Sequence, residues 1–90
     1  MPEISFQALI WGDAESGQFR VQIRPYQYNG AKAYVALMNA ERLSDFIALS
    51  GADLNDLSGI TPKKALVLEG VELEEASDLT GFGFTLQQGP

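Results

Sequence analysis

The sequence contains no cysteine and no histidine. The chain therefore has no disulfide, no thiolate nucleophile and no imidazole general base, and it cannot bind zinc or iron through sulfur and nitrogen ligands. Carboxylates, hydroxyls and lysines are the reactive groups that remain. These absences predict a protein without a cofactor.

Long apolar runs and targeting signals are also missing. No run approaches the roughly 18 apolar residues of a membrane helix, and the start MPEISFQALIW lacks the basic region and apolar core of a signal peptide. The 46% hydrophobic and 20% charged residues are typical of a globular protein. We expect one soluble domain over residues 1–90, in the cytoplasm and without membrane contact.

The formal net charge of −6 is confined to one part of the sequence. Residues 1–40 contain three acids and three bases, whereas residues 41–78 contain nine acids and three bases. An acidic surface repels nucleic acid and favours basic protein partners, but it also keeps a protein soluble. The acids that we consider for steering a partner are Glu41, Asp45, Asp53, Asp56, Glu72, Glu74, Glu75 and Asp78.

The first half of the sequence predicts three strands and a helix. Alternating apolar residues indicate strands at about residues 3–11 and from Gln18 onwards, and an Asn29–Gly30 turn leads into a third strand. The helix has Asn39 as N-cap and Gly51 as its stop. Met38 and Leu43, on either side of that cap, stand at the positions of a hydrophobic staple.

The second half predicts two further strands, at residues 64–70 and 81–87, whereas residues 71–79 fit either a strand or a short helix. The order β-β-β-α-β-β indicates an α+β fold, with a small twisted antiparallel sheet and one main helix. This order resembles that of the OB barrel, whose five strands bind single-stranded nucleic acid or sugars through the face of strands 2 and 3. An open antiparallel sheet with a helix on one face also fits.

The Asn29–Gly30 turn allows two registers of the second and third strands. A two-residue loop pairs Ile23 with Ala36 and mixes polar and core residues on one face. A three-residue loop with a bulge pairs Tyr28 with Lys32. This register places polar and core residues on separate faces, so we prefer it. The apolar face is then Phe19, Val21, Ile23, Val35 and Leu37. The other face is Arg20, Gln22, Arg24, Tyr26, Tyr28, Lys32, Tyr34, Ala36 and Met38.

This second face has three interpretations. Tyrosine and arginine are enriched at protein interfaces. Aromatic rings also stack on bases while cations pair with phosphates, which is typical of single-stranded nucleic-acid binding. Tyrosine is, in addition, a good strand former, and a cross-strand pair of Tyr26 and Tyr34 stabilises a hairpin without any ligand.

A dense group of carboxylates occupies residues 72–78, ELEEASD. Paired carboxylates can perform acid–base catalysis or bind a hard cation. Such chemistry needs a pocket that shifts a pKa, and a solvated face explains the group without one. We expect no metal and no catalytic residue here, and an enzymatic role for Glu72, Glu74, Glu75 and Asp78 is the third hypothesis.

The sequence predicts a small, acidic, non-catalytic binding protein. Its partner is expected to be a protein with a basic surface, in the manner of an inhibitor or adaptor that occupies a nucleic-acid site. The alternative is an OB-like protein that binds single-stranded nucleic acid, and an unpaired strand edge leaves a homodimer open. The predicted binding residues are Arg20, Arg24, Tyr26, Tyr28, Lys32, Tyr34, Glu72, Glu74, Glu75 and Asp78.

Overall fold

A computed structural model describes residues 4–25, 32–54, 56–73 and 77–88. The elements in these ranges are, in chain order, β1 (Ile4–Asp13), β2 (Gln18–Pro25), β3 (Lys32–Met38), α1 (Ala40–Leu49), β4 (Leu66–Leu73), α2 (Ser77–Thr80) and β5 (Thr85–Gln88). The strands form one antiparallel sheet, and buried residues of α1 join its core. The predicted α+β class, with an antiparallel sheet and one main helix, is confirmed.

The barrel alternative is not supported, because the sheet is open. Its strand order is β4-β1-β2-β3-β5. Among the described residues β4 pairs with β1 and β5 pairs with β3, so the two edge strands lie at opposite ends and do not meet. The order of elements along the chain differs from β-β-β-α-β-β in that α2 stands between β4 and β5; residues 71–79, which fitted either a strand or a short helix, contain the end of β4 and the start of α2.

The last strand begins later than predicted because a turn occupies residues 81–83. The amides of Phe82 and Phe84 both donate to the Leu79 carbonyl, at 3.1 and 3.2 Å. Gly83 has φ +80°, a left-handed conformation that favours glycine. The alternation of Phe82 and Phe84 thus belongs to a turn that packs on the core, and not to an extended strand.

Helix α1 begins and ends as the sequence predicts. The Asn39 side chain accepts a hydrogen bond from the Arg42 amide at 2.8 Å, which satisfies an amide that has no partner within the helix. At the other end Gly51 has φ +76°, and its amide donates to the Ala48 carbonyl at 3.2 Å. Met38 and Leu43 are both buried in the core, as a hydrophobic staple requires.

The core lies between α1 and one face of the sheet, with Phe46 of the helix at its centre. Phe46 is fully buried. Its ring centroid lies 5.7 Å from that of Phe82, in an edge-to-face arrangement, and 5.3 Å from that of Phe84. Arg42 also donates from Nη2 to the Gly81 carbonyl at 2.7 Å. These contacts fix the turn before β5 to the helix.

The predicted register of β2 and β3 is wrong. Ile23 lies opposite Tyr34, and Val21 lies opposite Ala36. Directly paired residues of an antiparallel sheet lie on the same face, so the even-numbered residues of β3 share the core side with the apolar residues of β2. Ala36 and Met38 are buried there, and Tyr34 packs against the core.

The staple explains this register physically. Met38 precedes the N-cap, and its side chain has to point towards α1 if it is to join Leu43 in the core. Strand alternation then places Ala36 and Tyr34 on the same side. Val35 and Leu37 are consequently directed away from the helix, opposite to the prediction.

Strand β4 contains a bulge at Gly70. Glu69 pairs with Gln7 and Val71 pairs with Phe6, so Gly70 is an extra residue in the ladder. Its φ of +74° is that of a bulge built around a left-handed glycine. The bulge keeps Val71 and Leu73 buried on the core side while Glu69 remains exposed.

Replacing Phe46 tests its central place in the core. We expect Phe46→Ala to lower the free energy of unfolding by about 3–5 kcal/mol, because the substitution leaves a cavity beside Phe82 and Phe84. Phe46→Leu should cost less, since it removes less volume. Urea unfolding followed by circular dichroism measures both. Leu49→Ala on the same helix, at an exposed position, should change stability by less than about 0.5 kcal/mol; an equal loss at the two sites contradicts the assignment.

Replacing Gly70 tests the bulge. A side chain at Gly70 would have no atom within 4 Å of its Cβ, so the cost of Gly70→Ala should come from the left-handed backbone, at about 1–2 kcal/mol. Gly70→Asn should cost less than Gly70→Ala, because asparagine tolerates this conformation better. Urea unfolding of the two variants gives the order, and a larger loss for asparagine argues against a left-handed bulge.

Candidate functional site

The side of the sheet opposite α1 is the outer face. In the part of the chain that the structure describes, α1 and apolar residues of segments 52–60 and 79–84 pack on the core side. The pairing of the strands places on the outer face Ser5, Gln7, Leu9, Trp11, Asp13, Gln18, Arg20, Gln22, Arg24, Ala33, Val35, Leu37, Val67, Glu69, Glu72, Thr85 and Gln87.

The outer face carries apolar side chains among its polar ones. Leu37 and Val67 are 47% and 46% exposed, and Leu9, Trp11 and Val35 are partly exposed. An antiparallel sheet with one solvated side normally presents polar residues there. A group of exposed apolar side chains with polar residues beside it is typical of an interaction surface.

Arg20 covers the face of Trp11. The two residues lie directly opposite each other on β2 and β1, and the Arg20 Cζ is 5.5 Å from the centroid of the Trp11 ring. This is a cation–π contact. The Arg20 Nε is buried and, within the described residues, has no hydrogen-bond partner. The Arg20 guanidinium is therefore positioned by packing on the Trp11 ring, on the outer face of the sheet.

Arg24 is held on the same face by Gln22. With the Gln22 amide oriented so that its oxygen faces the guanidinium, that oxygen accepts hydrogen bonds from Arg24 Nη2 at 2.9 Å and Nε at 3.2 Å. On the neighbouring strands Gln7 donates from Nε2 to Glu69 Oε1 at 3.3 Å. The arginines are thus positioned by uncharged partners.

A depression between β4, β1 and β2 has a volume of about 100 Å³. Pockets that enclose drug-sized ligands have about 300–1,000 Å³, so this one is too small to enclose such a ligand. Its position makes it a recess in a larger surface. It is lined by Gln7, Leu9, Gln22, Arg24 and Val67.

The predicted tyrosine and arginine face is not one surface. Arg20 and Arg24 lie on the outer face, whereas Tyr34 lies on the core side. Tyr26 and Tyr28 lie outside the described residues, as does the side chain of Lys32. The structure therefore places the two arginines side by side along β2 but separates them from Tyr34.

The predicted carboxylate cluster is divided between elements. Glu72 is exposed on β4, opposite Ser5, while Asp78 lies in α2 and is partly buried. Glu74 and Glu75 lie outside the described residues. Among the residues that are described, no group of three or more carboxylates is close enough to bind a metal ion.

The acids of α1 and of the segment directly after it lie on other parts of the molecule. Glu41 and Asp45 are exposed on α1, which packs on the core side, and Asp53 and Asp56 follow that helix. Hydrogen bonds from the side chain and then the backbone amide of Ser58 lower the pKa of Asp56. Since this pair forms an exposed turn, the shift has a local structural cause.

Sequence reasoning missed the apolar residues of the outer face. Leu9 and Trp11 alternate with the buried residues of β1, so their outward direction was visible in the sequence. Val35 and Leu37 were assigned to the core because only that register separated the polar from the apolar residues of β2 and β3. The missed residues are Leu9, Trp11, Val35, Leu37 and Val67.

No protein-family model matches this sequence, and no curated protein or solved structure is significantly similar to it. Of the helices that the structure describes, none is long and apolar enough to span a membrane. Function is therefore inferred from the geometry of the outer face.

Trp11 is the single tryptophan of the chain, so its fluorescence reports on the outer face. We expect Arg20→Gln to make Trp11 more accessible to acrylamide, because the guanidinium no longer covers the ring, and to lower stability by about 0.5–1 kcal/mol. Arg24→Gln removes the same charge from the same strand without uncovering Trp11. Equal acrylamide quenching in the two variants contradicts the contact.

Proposed function

We propose that this chain is a non-catalytic protein-binding domain whose docking surface is the outer face. The observation that carries the proposal is the group of partly exposed apolar side chains around two arginines on the side of the sheet opposite α1. Tryptophan and arginine are the residue types that contribute most at protein interfaces. The predicted inhibitor or adaptor role falls within this proposal.

The sequence predicts that the acids of α1 steer a basic partner, whereas their position supports a role in solubility. A basic partner steered by Glu41 and Asp45 approaches the helix side of the sheet, whereas Arg20 and Arg24 lie on the other side. Glu69 and Glu72 lie on the outer face with the two arginines, so that face carries charges of both signs. The outer face is the better docking surface because it combines apolar area with charge, and the acids of the helix side keep the protein soluble.

The geometry favours a protein partner over single-stranded nucleic acid. Base stacking needs an accessible aromatic face, and Arg20 covers the Trp11 ring. The remaining apolar residues of the outer face are all aliphatic. The net charge of −6 also opposes the approach of a polyanion.

Charge substitutions on the outer face test the docking surface. We expect Leu37→Asp and Val67→Asp to reduce capture of a partner from a lysate of the native host by about tenfold or more, which corresponds to ~1.4 kcal/mol. Quantitative mass spectrometry of the captured proteins measures the change.

Leu49→Asp is the matched control, because Leu49 is 48% exposed on α1, close to the values of Leu37 and Val67. It should leave capture unchanged. Urea unfolding of all three variants checks that each is folded. A partner that is lost with Leu49→Asp but kept with both outer-face variants places the docking surface elsewhere and refutes the proposal.

A further inference from the structure

The charges of the outer face are sorted by strand. Glu69 and Glu72 lie on the edge strand β4, and Arg20 and Arg24 lie on β2. Strand β1 runs between them, and its outer-face residues at positions 5–11 are uncharged. Three neighbouring strands thus carry, in order, negative charge, no charge and positive charge.

Gln7 marks the centre of this pattern. It lies on β1 directly between Glu69 on one side and Arg24 on the other. At about 4.8 Å between strands, the two charged residues are roughly 10 Å apart. Within the described residues each is bound to an uncharged amide, since Glu69 accepts from Gln7 at 3.3 Å and Arg24 donates to Gln22 at 2.9 and 3.2 Å. Both charges therefore remain available to another molecule.

We propose that the outer face binds the outer face of a second copy of this chain, around a two-fold axis that runs along β1; this rests on the proposed function above, for which it names the partner. Sheets that pack face to face lie about 10 Å apart, with their strands within about 30° of each other. An axis along β1 lays β4 of each copy over β2 of the other. Glu69 then faces Arg24 of the second copy, and Arg24 faces its Glu69.

The same axis brings the apolar residues of β1 together. Leu9 and Trp11 lie on the outer side of β1, so each approaches its counterpart in the second copy. Val67, which pairs with Leu9 and is 46% exposed, comes to lie over Gln22 of the second copy. Apolar contacts at the centre with polar groups around them are the usual arrangement of a protein interface.

The other charged residues of the outer face lie towards the ends of this contact. Asp13 and Arg20 are near one end, and the two-fold axis places both copies of each there, so positive and negative charges balance. The Asp13 carboxylate also accepts hydrogen bonds from the Glu15 and Ser16 amides, at 3.0 and 3.4 Å. Glu72 is exposed at the opposite end. The acids of α1 stay away from the contact, because the helix packs on the far side of the sheet.

The charge pattern favours a second copy over other occupants. A complementary surface has to place bases over β4 and acids over β2, with an uncharged strip that is partly apolar between them. The outer face itself, turned about the two-fold axis, is such a surface. Two-fold dimers are the commonest protein oligomers, and their interface is one self-complementary patch. A nucleic acid, by contrast, would meet Glu69 and Glu72 as well as the arginines.

The area of the face predicts a weak, reversible dimer. Five strands about 4.8 Å apart, with at most about eight residues each, give an upper limit of roughly 600 Å² per copy, or about 1,200 Å² in all. Stable interfaces bury about 1,200–2,000 Å² in total, so even a complete overlap reaches only the lower end. Since β1 is the second of the five strands, β3 lies at the margin, beside the β4 edge of the second copy. We therefore expect dissociation in the micromolar range.

Exchanging the two charges tests the inference. Glu69→Arg makes both facing pairs positive, and Arg24→Glu makes both negative. Each variant alone should dimerise at least about tenfold more weakly than the original chain, because like charges across an interface are unfavourable. In an equimolar mixture of the two variants every pair again joins opposite charges, so the dimer should return.

Sedimentation equilibrium from low to high micromolar concentration measures the original chain, each variant and the mixture. Trp11 is the single tryptophan and lies near the axis, so its emission should change over the same concentrations. Glu41→Arg, at an exposed position of α1, is the control with the same change of charge. It should alter dimerisation by less than about twofold, and its mixture with Arg24→Glu should not restore the dimer. Urea unfolding checks that each variant is folded.

Three results overturn the second copy as the occupant. They are a chain that stays monomeric at all these concentrations, a dimer that neither charge variant weakens, and a mixture that does not restore the dimer. The proposed function is judged separately by capture from the lysate. It stands, with a different partner, if Leu37→Asp and Val67→Asp still reduce capture, and it falls with the dimer if they do not.

Discussion

The direction of the Met38 side chain determines which residues of β3 lie on each side of the sheet. Met38 joins Leu43 beneath the start of α1, and strand alternation carries that choice back along β3. Tyr34 and Ala36 follow it towards the helix, and Val35 and Leu37 point away. The contact at the strand-to-helix junction thus places Val35 and Leu37 on the outer face.

The edges of the sheet are poorer docking sites than its outer face. The β4 edge is interrupted by the Gly70 bulge and carries Glu69 and Glu72, and β5 has only four residues. Bulges, charges and short strands are the means by which proteins prevent another strand from pairing at an edge. Docking on the outer face would instead use side chains rather than backbone groups.

Local signals made much of the fold predictable. The caps at Asn39 and Gly51 and the alternation of β2 involve residues close in sequence, so the helix and the outward direction of the arginines followed from them. Strand β3 did not, because both of its faces are apolar and alternation alone cannot identify the buried one. The hydrophobic staple identifies the buried face, because Met38 has to point towards Leu43 in the core. Whether the sheet closes depends on the pairing of β4, which a local pattern does not contain.

The strand order has a consequence for how the molecule forms. One edge of β1 pairs with β2, its neighbour in sequence. The other edge pairs with β4, so that Ile4 lies opposite Leu73, which is distant in sequence. Pairings between such distant segments slow folding, because much chain entropy is lost before any contact is gained. Until β4 pairs, that edge of β1 is open, and residues 4–10 include no charged side chain. An unpaired edge of this kind favours aggregation during folding.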